Sequence, residues 1–133
     1  MLTFKLRTNT PYLPEFTDLL TITQIPTTSK QLLLLQKNTP IGILIFQELF
    51  PDIEILDFVI LETRQNKGYG KMLLEHFEEY AKENAYKRIL LDVHEHNLKA
   101  QYIYEKMGFS QNGERENYYD GKFKAILMEK NLS

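Results

Sequence analysis

The chain has 133 residues, of which 43% are hydrophobic and 26% are charged, and it contains no cysteine. This length and composition predict one globular domain, 1–133, rather than a disordered or fibrous chain. A net charge of −2, without a cluster of basic residues, argues against nucleic acid as a partner, and the lack of cysteine excludes disulfides and thiolate metal sites.

The first half of the chain predicts a strand, a short helix and an antiparallel meander. Residues 2–6 suit a strand, and Pro14 suits the first position of a helix that ends before Pro26. The residues 26–29 are typical of a loop. Three apolar runs then follow in quick succession, separated by turn residues, at 31–36, 41–47 and 53–61.

The second half predicts helices between strands. Apolar residues recur at helical spacing from Met72 to Ala81, with charged residues on the other face. The run 88–94 is typical of a buried strand, and Asn97 can cap a following helix that runs to 107. The order strand, helix, strand, helix predicts one parallel crossover.

A terminal hairpin is predicted from a turn signal. Gly108 is well placed to end the preceding helix. The segments 113–119 and 123–130 flank Asp120-Gly121, a dipeptide that favours a tight turn between strands.

A glycine-containing segment, Gln65-Asn66-Lys67-Gly68-Tyr69-Gly70, lies between a predicted strand and the most regular helix. Main-chain N–H groups and the helix dipole at such a place can hold a phosphate group. From these residues alone, a turn that merely starts a helix stays open as an alternative. The segment is not a P-loop, and it lacks the third glycine of a dinucleotide fingerprint.

Two motifs carry a resemblance to a known family. Gln65-x-x-Gly68-x-Gly70 follows the strand-like run 54–60, and Leu91-Asp92-Val93-His94 precedes Asn97, Ala100, Tyr104, Gly108 and Phe109. Together they resemble the acetyl-CoA-binding region of the GNAT superfamily of N-acetyltransferases. The resemblance implies an α/β (α+β) fold: a mixed, mostly antiparallel sheet of about seven strands, helices on both faces, and a splayed parallel strand pair that binds acetyl-CoA.

The resemblance also implies which residues hold the cosubstrate. Main-chain groups of the strand are expected to contact the pantetheine arm, and amides of the glycine segment are expected to bind the diphosphate. Asn97 is expected either to contact the coenzyme or only to cap its helix. The implied set is Phe58, Val59, Ile60, Gln65, Asn66, Lys67, Gly68, Tyr69, Gly70, Lys71, Asn97 and Tyr104.

Tyr104 matches the tyrosine that family members place beside the thioester sulfur. A phenol with a pKa of about 10 is protonated at neutral pH and can donate to the departing thiolate. The alternative is that Tyr104, one of eight tyrosines, only packs on the inner face of its helix.

Three further features are Leu73-Leu74-Glu75-His76 after the glycines, a carboxylate twelve residues before Tyr104, and Arg115-x-Asn117-Tyr118-Tyr119 after Gly108-Phe109. They most resemble the RimI-like branch, whose members acetylate the α-amine of a ribosomal protein. By that match Asp92 is the candidate general base, with a bridging water because aspartate is short, although it could be a structural carboxylate. Glu54 is the rival candidate for the base, and Asp57 is the third. Asp57 and Tyr118 are also candidates for contact with the acceptor.

The acceptor is the least determined part of the prediction. RimI-like enzymes usually have a longer segment between the first two strands than residues 9–29 of this chain. A small amine such as a polyamine, an amino acid or an aminoglycoside therefore stays an alternative acceptor. A non-catalytic acetyl-CoA-binding module is a further one. The pattern His94-x-His96 lacks a third ligand at a convincing spacing, so no metal is expected.

We expect a cytoplasmic location, since the first residues lack a secretory signal and no apolar run is long enough for a membrane span. We expect a monomer or a homodimer.

Overall fold

The computed structural model describes residues 1–8, 13–20, 28–119 and 121–132. These form one seven-stranded sheet with strand order β1-β2-β3-β4-β5-β7-β6 and three helices. The strands are β1 (Leu2–Thr8), β2 (Lys30–Gln36), β3 (Thr39–Leu49), β4 (Asp52–Ile60), β5 (Arg88–His94), β6 (Ser110–Tyr119) and β7 (Phe123–Asn131). The helices are α1 (Pro14–Thr17), α2 (Tyr69–Glu83) and α3 (Leu98–Lys106).

The sheet is antiparallel except at its centre. Strands β2 to β4 form the predicted meander, the predicted first strand β1 pairs antiparallel with β2, and β6 and β7 form the predicted hairpin. Strands β4 and β5 are parallel and are joined by α2, which confirms the predicted crossover. Their register covers only Asp52–Ile55 of β4 and Arg88–Leu91 of β5. Beyond these residues the two strands separate, and a gap opens between their carboxyl ends.

A bulge in β4 changes which side chains face each side of the sheet. Ile45 of β3 pairs with Asp57, whereas Phe46 pairs with Ile55, so Leu56 has no partner in the β3–β4 register. An extra residue reverses the alternation of the strand. Ile53 and Ile55 before the bulge, and Phe58 and Ile60 after it, therefore all contact the same hydrophobic core.

Helices cover both faces of the sheet, as the resemblance implied. The larger core lies under α2, which buries Leu73, Leu74, Phe77 and Ala81, and α3 packs at its margin. The smaller core on the other face holds Phe16 of α1. Asn97 caps α3 as predicted, because its Oδ1 accepts a hydrogen bond of 3.1 Å from the amide of Ala100.

Some predicted boundaries differ from the structure. Helix α1 ends at Thr17, whereas the sequence predicted a helix that ends before Pro26. Residues 21–25 of that prediction lie outside the described part of the chain, as does Asp120 of the predicted hairpin turn. Strand β6 begins at Ser110, three residues earlier than predicted, because its pairing with β7 continues through a register shift after Gln111.

The amino ends of β4 and β5 are joined by an ion-pair network. The Arg88 guanidinium donates to both carboxylate oxygens of Asp52 at 3.1 and 3.0 Å, and to Glu129 of β7 at 2.6 Å. One arginine thus ties three adjacent strands at the end where the parallel pair is closed.

Within the described residues, no helix is both long and apolar enough to cross a lipid bilayer.

Candidate active site

The gap between β4 and β5 opens on both faces of the sheet. On the side of α2 and α3, a cavity of about 510 Å³ lies between the start of α2 and the inner face of α3. A cavity of about 730 Å³ lies on the side of the carboxylates. Phe58, Asn97, Ala100 and Tyr104 line both cavities. The two spaces therefore meet at these four residues.

The glycine segment forms the entrance to the first cavity. Asn66 and Gly68 adopt left-handed backbone conformations, with φ values of 62° and 83°. Gly68 is the N-cap of α2 and has no side chain to satisfy the first amides of the helix. The first turn, Tyr69-Gly70-Lys71, carries no acidic residue and one basic residue. This end of α2 is therefore chemically suited to an anion such as a diphosphate.

Side chains hold this segment against the sheet. The Gln65 amide donates to the carbonyl of Ile60 at 3.0 Å, so the loop is tied to the end of β4. Gln36 of β2 accepts from Arg64 at 3.2 Å and donates to the Tyr69 hydroxyl at 3.2 Å. These contacts hold the loop in this conformation without a bound ligand.

Tyr104 reaches the gap from α3. It is half-buried, and its ring packs edge-on against Phe109 at a centroid distance of 5.5 Å. Burial raises the pKa of the Tyr104 phenol above its ordinary value, and the negative charge of Asp57 raises it further. The hydroxyl stays protonated at neutral pH and is available as a hydrogen-bond donor.

Three carboxylates line the second cavity: Glu54, Asp57 and Asp92. Glu54 and Asp57 are three residues apart, so a regular strand would place their side chains on opposite faces of the sheet. The bulge at Leu56 lies between them and brings both side chains to the same face. The Gln47 amide donates to Glu54 at 2.7 Å, and Asp57 accepts from the amide of Phe58 at 2.9 Å.

Asp92 has the most perturbed environment of the three. Burial raises the pKa of its carboxyl group, while the nearby Arg115 guanidinium and a hydrogen bond from Tyr118 act in the opposite direction. The net direction is upward, so the carboxylate is a stronger base than an exposed aspartate. A base of raised pKa is closer to the range in which proton abstraction is efficient.

The hairpin supplies the wall beside Asp92. Residues between Arg115 and Tyr119 bulge out of the β6–β7 register, and Asn117 within this bulge has a φ of 51°. Tyr119 stacks on His94 at a centroid distance of 4.7 Å. Burial, with Asp92, Tyr118 and Asp57 adding to it, raises the pKa of Tyr119 to about 12.

Most predicted site residues line one of the two cavities. The first cavity includes Phe58, Ile60, Gln65, Asn66, Gly68, Tyr69, Gly70, Lys71, Asn97 and Tyr104 of the predicted cosubstrate set. Lys67 is exposed and is not among its lining residues, and Val59 instead lines the second cavity. Glu54, Asp57, Asp92 and Tyr118 all line the second cavity.

Some lining residues were given no site role in the sequence prediction. They include Gln47 and Arg115 in the second cavity, and Lys99 and Ile103 in the first, whereas His94 was considered only as a metal ligand. Lys99 and Ile103 are four residues apart on α3 and share a face, so helical spacing could have identified them together. Arg115 could not be identified in this way, because its approach to Asp92 depends on the register of β6 against β7 and of β7 against β5.

Among residues 1–8, 13–20, 28–119 and 121–132, no three His, Cys, Asp or Glu side chains form a group that could hold a metal ion. His94 instead accepts a hydrogen bond at its Nδ1 from the amide of His96 at 3.0 Å.

Comparison with known sequences agrees with the motif reading. The sequence model of the Acetyltransferase (GNAT) family matches residues 4–109. A relative from Haemophilus influenzae, named [Ribosomal protein bS18]-alanine N-acetyltransferase, is 35% identical over 71% of this chain and 67% of its own length. A relative of the same name from Escherichia coli K12 is 30% identical over 63% of this chain and 59% of its own length.

Solved structures show the same fold. The ribosomal-protein-S18-alanine N-acetyltransferase of Escherichia coli superposes with a TM-score of 0.84 at 23% identity, covering 100% of this chain and 95% of that protein. A GNAT family acetyltransferase from Elizabethkingia anophelis, solved with acetyl-CoA bound, gives a TM-score of 0.84 at 23% identity over 98% and 97% of the two chains. The family match spans most of this sequence, and the chain therefore belongs to the Acetyltransferase (GNAT) family.

Proposed function

We propose that this chain transfers the acetyl group of acetyl-CoA to the N-terminal α-amine of a protein or peptide. The observation that carries the proposal is the position of Tyr104, which lines both the cavity suited to a diphosphate and the cavity that holds the carboxylates. A thioester entering from the first side and an amine entering from the second meet at this residue.

Acetyl-CoA fits the first cavity by the chemistry of its walls. The amides at the start of α2 and the positive charge of Lys71 suit the diphosphate, and Asn97 lines the same space. Phe58 and Ile60 give an apolar wall for the pantetheine arm. A Cβ atom at Gly70 would be in ordinary van der Waals contact with the Phe58 ring at 3.5 Å and would cover part of this wall.

In the reaction the neutral amine attacks the thioester carbonyl carbon directly, in a ternary complex. A C–N bond forms, the C–S bond breaks, and the amine gives one proton to Asp92, directly or through one water. Tyr104 donates its hydroxyl hydrogen to the departing sulfur, and both groups then exchange protons with solvent. Asp92 is the proposed base because burial raises its pKa, whereas the Glu54 carboxylate is held by the Gln47 amide and Asp57 accepts from the amide of Phe58.

An α-amine suits this arrangement better than a lysine side chain. Its pKa of about 8 leaves a substantial neutral fraction near neutrality, whereas a lysine of about 10.4 leaves roughly one part in a thousand. A short carboxylate acting through water is sufficient for the first case. The names of the two bacterial relatives favour the same acceptor class, an N-terminal alanine of a ribosomal protein.

A small polyamine is the second candidate acceptor. The favouring observation is the lining of the second cavity, where the described part of the chain contributes three carboxylates and one guanidinium, that of Arg115. Such a lining attracts an acceptor with more than one positive charge.

An acceptor panel tests the proposal. Acetyl-CoA binding is measured by calorimetry, and thiol release is measured with an alanine-terminated peptide, its N-terminally blocked lysine-containing analogue, a free amino acid and a polyamine. We expect the unblocked peptide to have the highest kcat/KM. A higher value for the polyamine would favour the second candidate, and binding without turnover on any amine would leave only a coenzyme-binding module.

We also propose that the protein acts in the cytoplasm. A ribosomal-protein acceptor and the absence of cysteine from the sequence both support this location.

A further inference from the structure

Helix α3, which carries Tyr104, packs on the larger core only through partly buried side chains. None of its nine residues, all of them described, is fully buried, although Ala100 and Tyr104 contact that core. Because most helical stability in proteins comes from packing of an apolar face, a helix with so little buried surface depends also on polar contacts for its orientation. Such contacts lie towards its two ends.

At its amino-terminal end, α3 is tied to the end of β5. The Gln101 side chain donates to the carbonyls of His94 and Glu95 at 3.2 and 3.1 Å. Together with the Asn97 cap, these bonds fix the start of the helix relative to the strand that carries Asp92.

At its carboxyl end, α3 is tied to Lys130 of β7. Strand alternation places Lys130 on the same face as Ile126 and Met128, both buried in the core under the helices. A charged residue therefore stands where the pattern favours an apolar one. Its ammonium donates to the carbonyl of Met107 at 2.6 Å and to the Glu78 carboxylate of α2 at 2.5 Å.

The lysine side chain passes close to the turn that ends α3. Gly108, which follows Met107 at the end of the helix, has a φ of 96°, and a Cβ atom there would lie 3.0 Å from the Lys130 Cε. A positive charge next to the last carbonyls of a helix is also favourable for the helix dipole. Lys130 thus joins the end of α3 to α2, the helix whose start forms the cosubstrate entrance.

We propose that Lys130 is a positioning residue for Tyr104, holding the end of α3 against Glu78 so that the phenol lies in line with the thioester sulfur. This inference rests on the proposed acetyl transfer. Misplacement of a reacting group by about 1 Å can cost about 10²-fold in rate. We therefore expect Lys130 to act more on the rate of the chemical step than on the affinity for acetyl-CoA, whose diphosphate is expected at the start of α2.

Lys130→Met keeps the length of the apolar stem and removes the ammonium. We expect kcat to fall by roughly tenfold to a hundredfold, within the range that misplacing a reacting group produces. The KM for acetyl-CoA and the calorimetric affinity are expected to stay unchanged, and Lys130→Arg should recover part of the loss. Lys124→Met on the same strand is the matched control with unchanged kcat, because the Lys124 ammonium pairs with the exposed carboxylates of Glu114 and Glu116.

The decisive measurement is a double-mutant cycle with Tyr104→Phe. If Lys130 acts through the phenol, adding Lys130→Met to Tyr104→Phe lowers kcat little further. Multiplicative losses would overturn the inference, as would a loss confined to the KM for acetyl-CoA. Should Lys130→Met fail to fold, Glu78→Gln replaces it in the same cycle, since it weakens one contact and leaves the bond to Met107.

Failure of the proposed function gives a different result. A wild-type protein that acetylates no amine contradicts the proposed function, whereas an active wild type with independent effects of the two substitutions contradicts only the role of Lys130.

Discussion

The two ends of the β4–β5 pair differ in what lies between the strands. At the closed end, Arg88 donates to Asp52 and Glu129, so both carboxylates have a cationic partner and the strands are held at pairing distance. At the open end, carboxylates and phenols face a gap, and burial raises the pKa of Asp92, Tyr104 and Tyr119. The same strand pair thus has one end closed by ion pairs and one open end, where we propose the reaction, and substitutions at the two ends should affect different measurements.

The largest effect is expected from Tyr104→Phe at the open end. The substitution keeps the ring that packs on Phe109 and removes only the donor. A general acid contributes about 10²–10⁴-fold to a rate, so kcat should fall by that order while acetyl-CoA affinity is unchanged. Turnover and calorimetry on the same preparation measure this. An unchanged kcat would remove Tyr104 from the mechanism.

The next largest loss of kcat is expected from Asp92→Asn, which tests which of the three carboxylates is the general base. We expect kcat to fall by about 10²-fold, the lower part of the range for a general base, because a water is expected to mediate the transfer. Glu54→Gln and Asp57→Asn are the matched variants, and smaller losses are expected for both. A larger loss for Glu54→Gln would assign the base to Glu54.

Asp92 also predicts a pH dependence of stability. Its pKa is raised in the folded state, so the folded protein holds this proton more tightly than the unfolded chain does. Its contribution to the free energy of unfolding therefore decreases as the pH rises above the unfolded value of about 3.9. At neutral pH, Asp92→Asn should be at least as stable as the wild type, and thermal melts against pH should show the difference vanishing in acid. A less stable variant at neutral pH would contradict the direction of the shift.

The glycine segment provides a smaller and separable effect. Gly68 has a φ of 83°, and a Cβ atom there would contact nothing within 4 Å, so Gly68→Ala costs stability through the backbone alone. The expected loss is about 1–2 kcal/mol.

Gly70 lies inside the helix, where alanine is more stable than glycine by up to about 1 kcal/mol. If the main chain must approach the diphosphate, Gly70→Ala weakens acetyl-CoA binding by about tenfold, or about 1.4 kcal/mol, without loss of stability.

The smallest effect on catalysis is expected at the closed end. Arg88→Leu removes the contacts to Asp52 and Glu129 and should lower the melting temperature by a few degrees. Well below that temperature, kcat and acetyl-CoA affinity should match those of the wild type. A loss of kcat in the folded variant would show that the closed end also sets the geometry of the gap.

Much of the site could be predicted where the signal is local. The strand 88–94, the Asn97 cap and the start of α2 after the glycine segment were all predicted from short stretches, and the structure has them. The length of α1 was predicted less well, because a short amphipathic segment with one proline has no clear end signal.

The sequence by itself determined the family, the order of the elements and the presence of Tyr104 on the inner face of α3, because periodicity, caps and motif spacing act over a few residues. Only the tertiary structure decided that the bulge at Leu56 gives Glu54 and Asp57 a common face, and that Arg115 and Tyr118 lie beside Asp92. It also decided that Lys130 meets the end of α3. These contacts depend on strand register and on pairing between residues distant in the chain, and a single bulged residue changes them without a local signal.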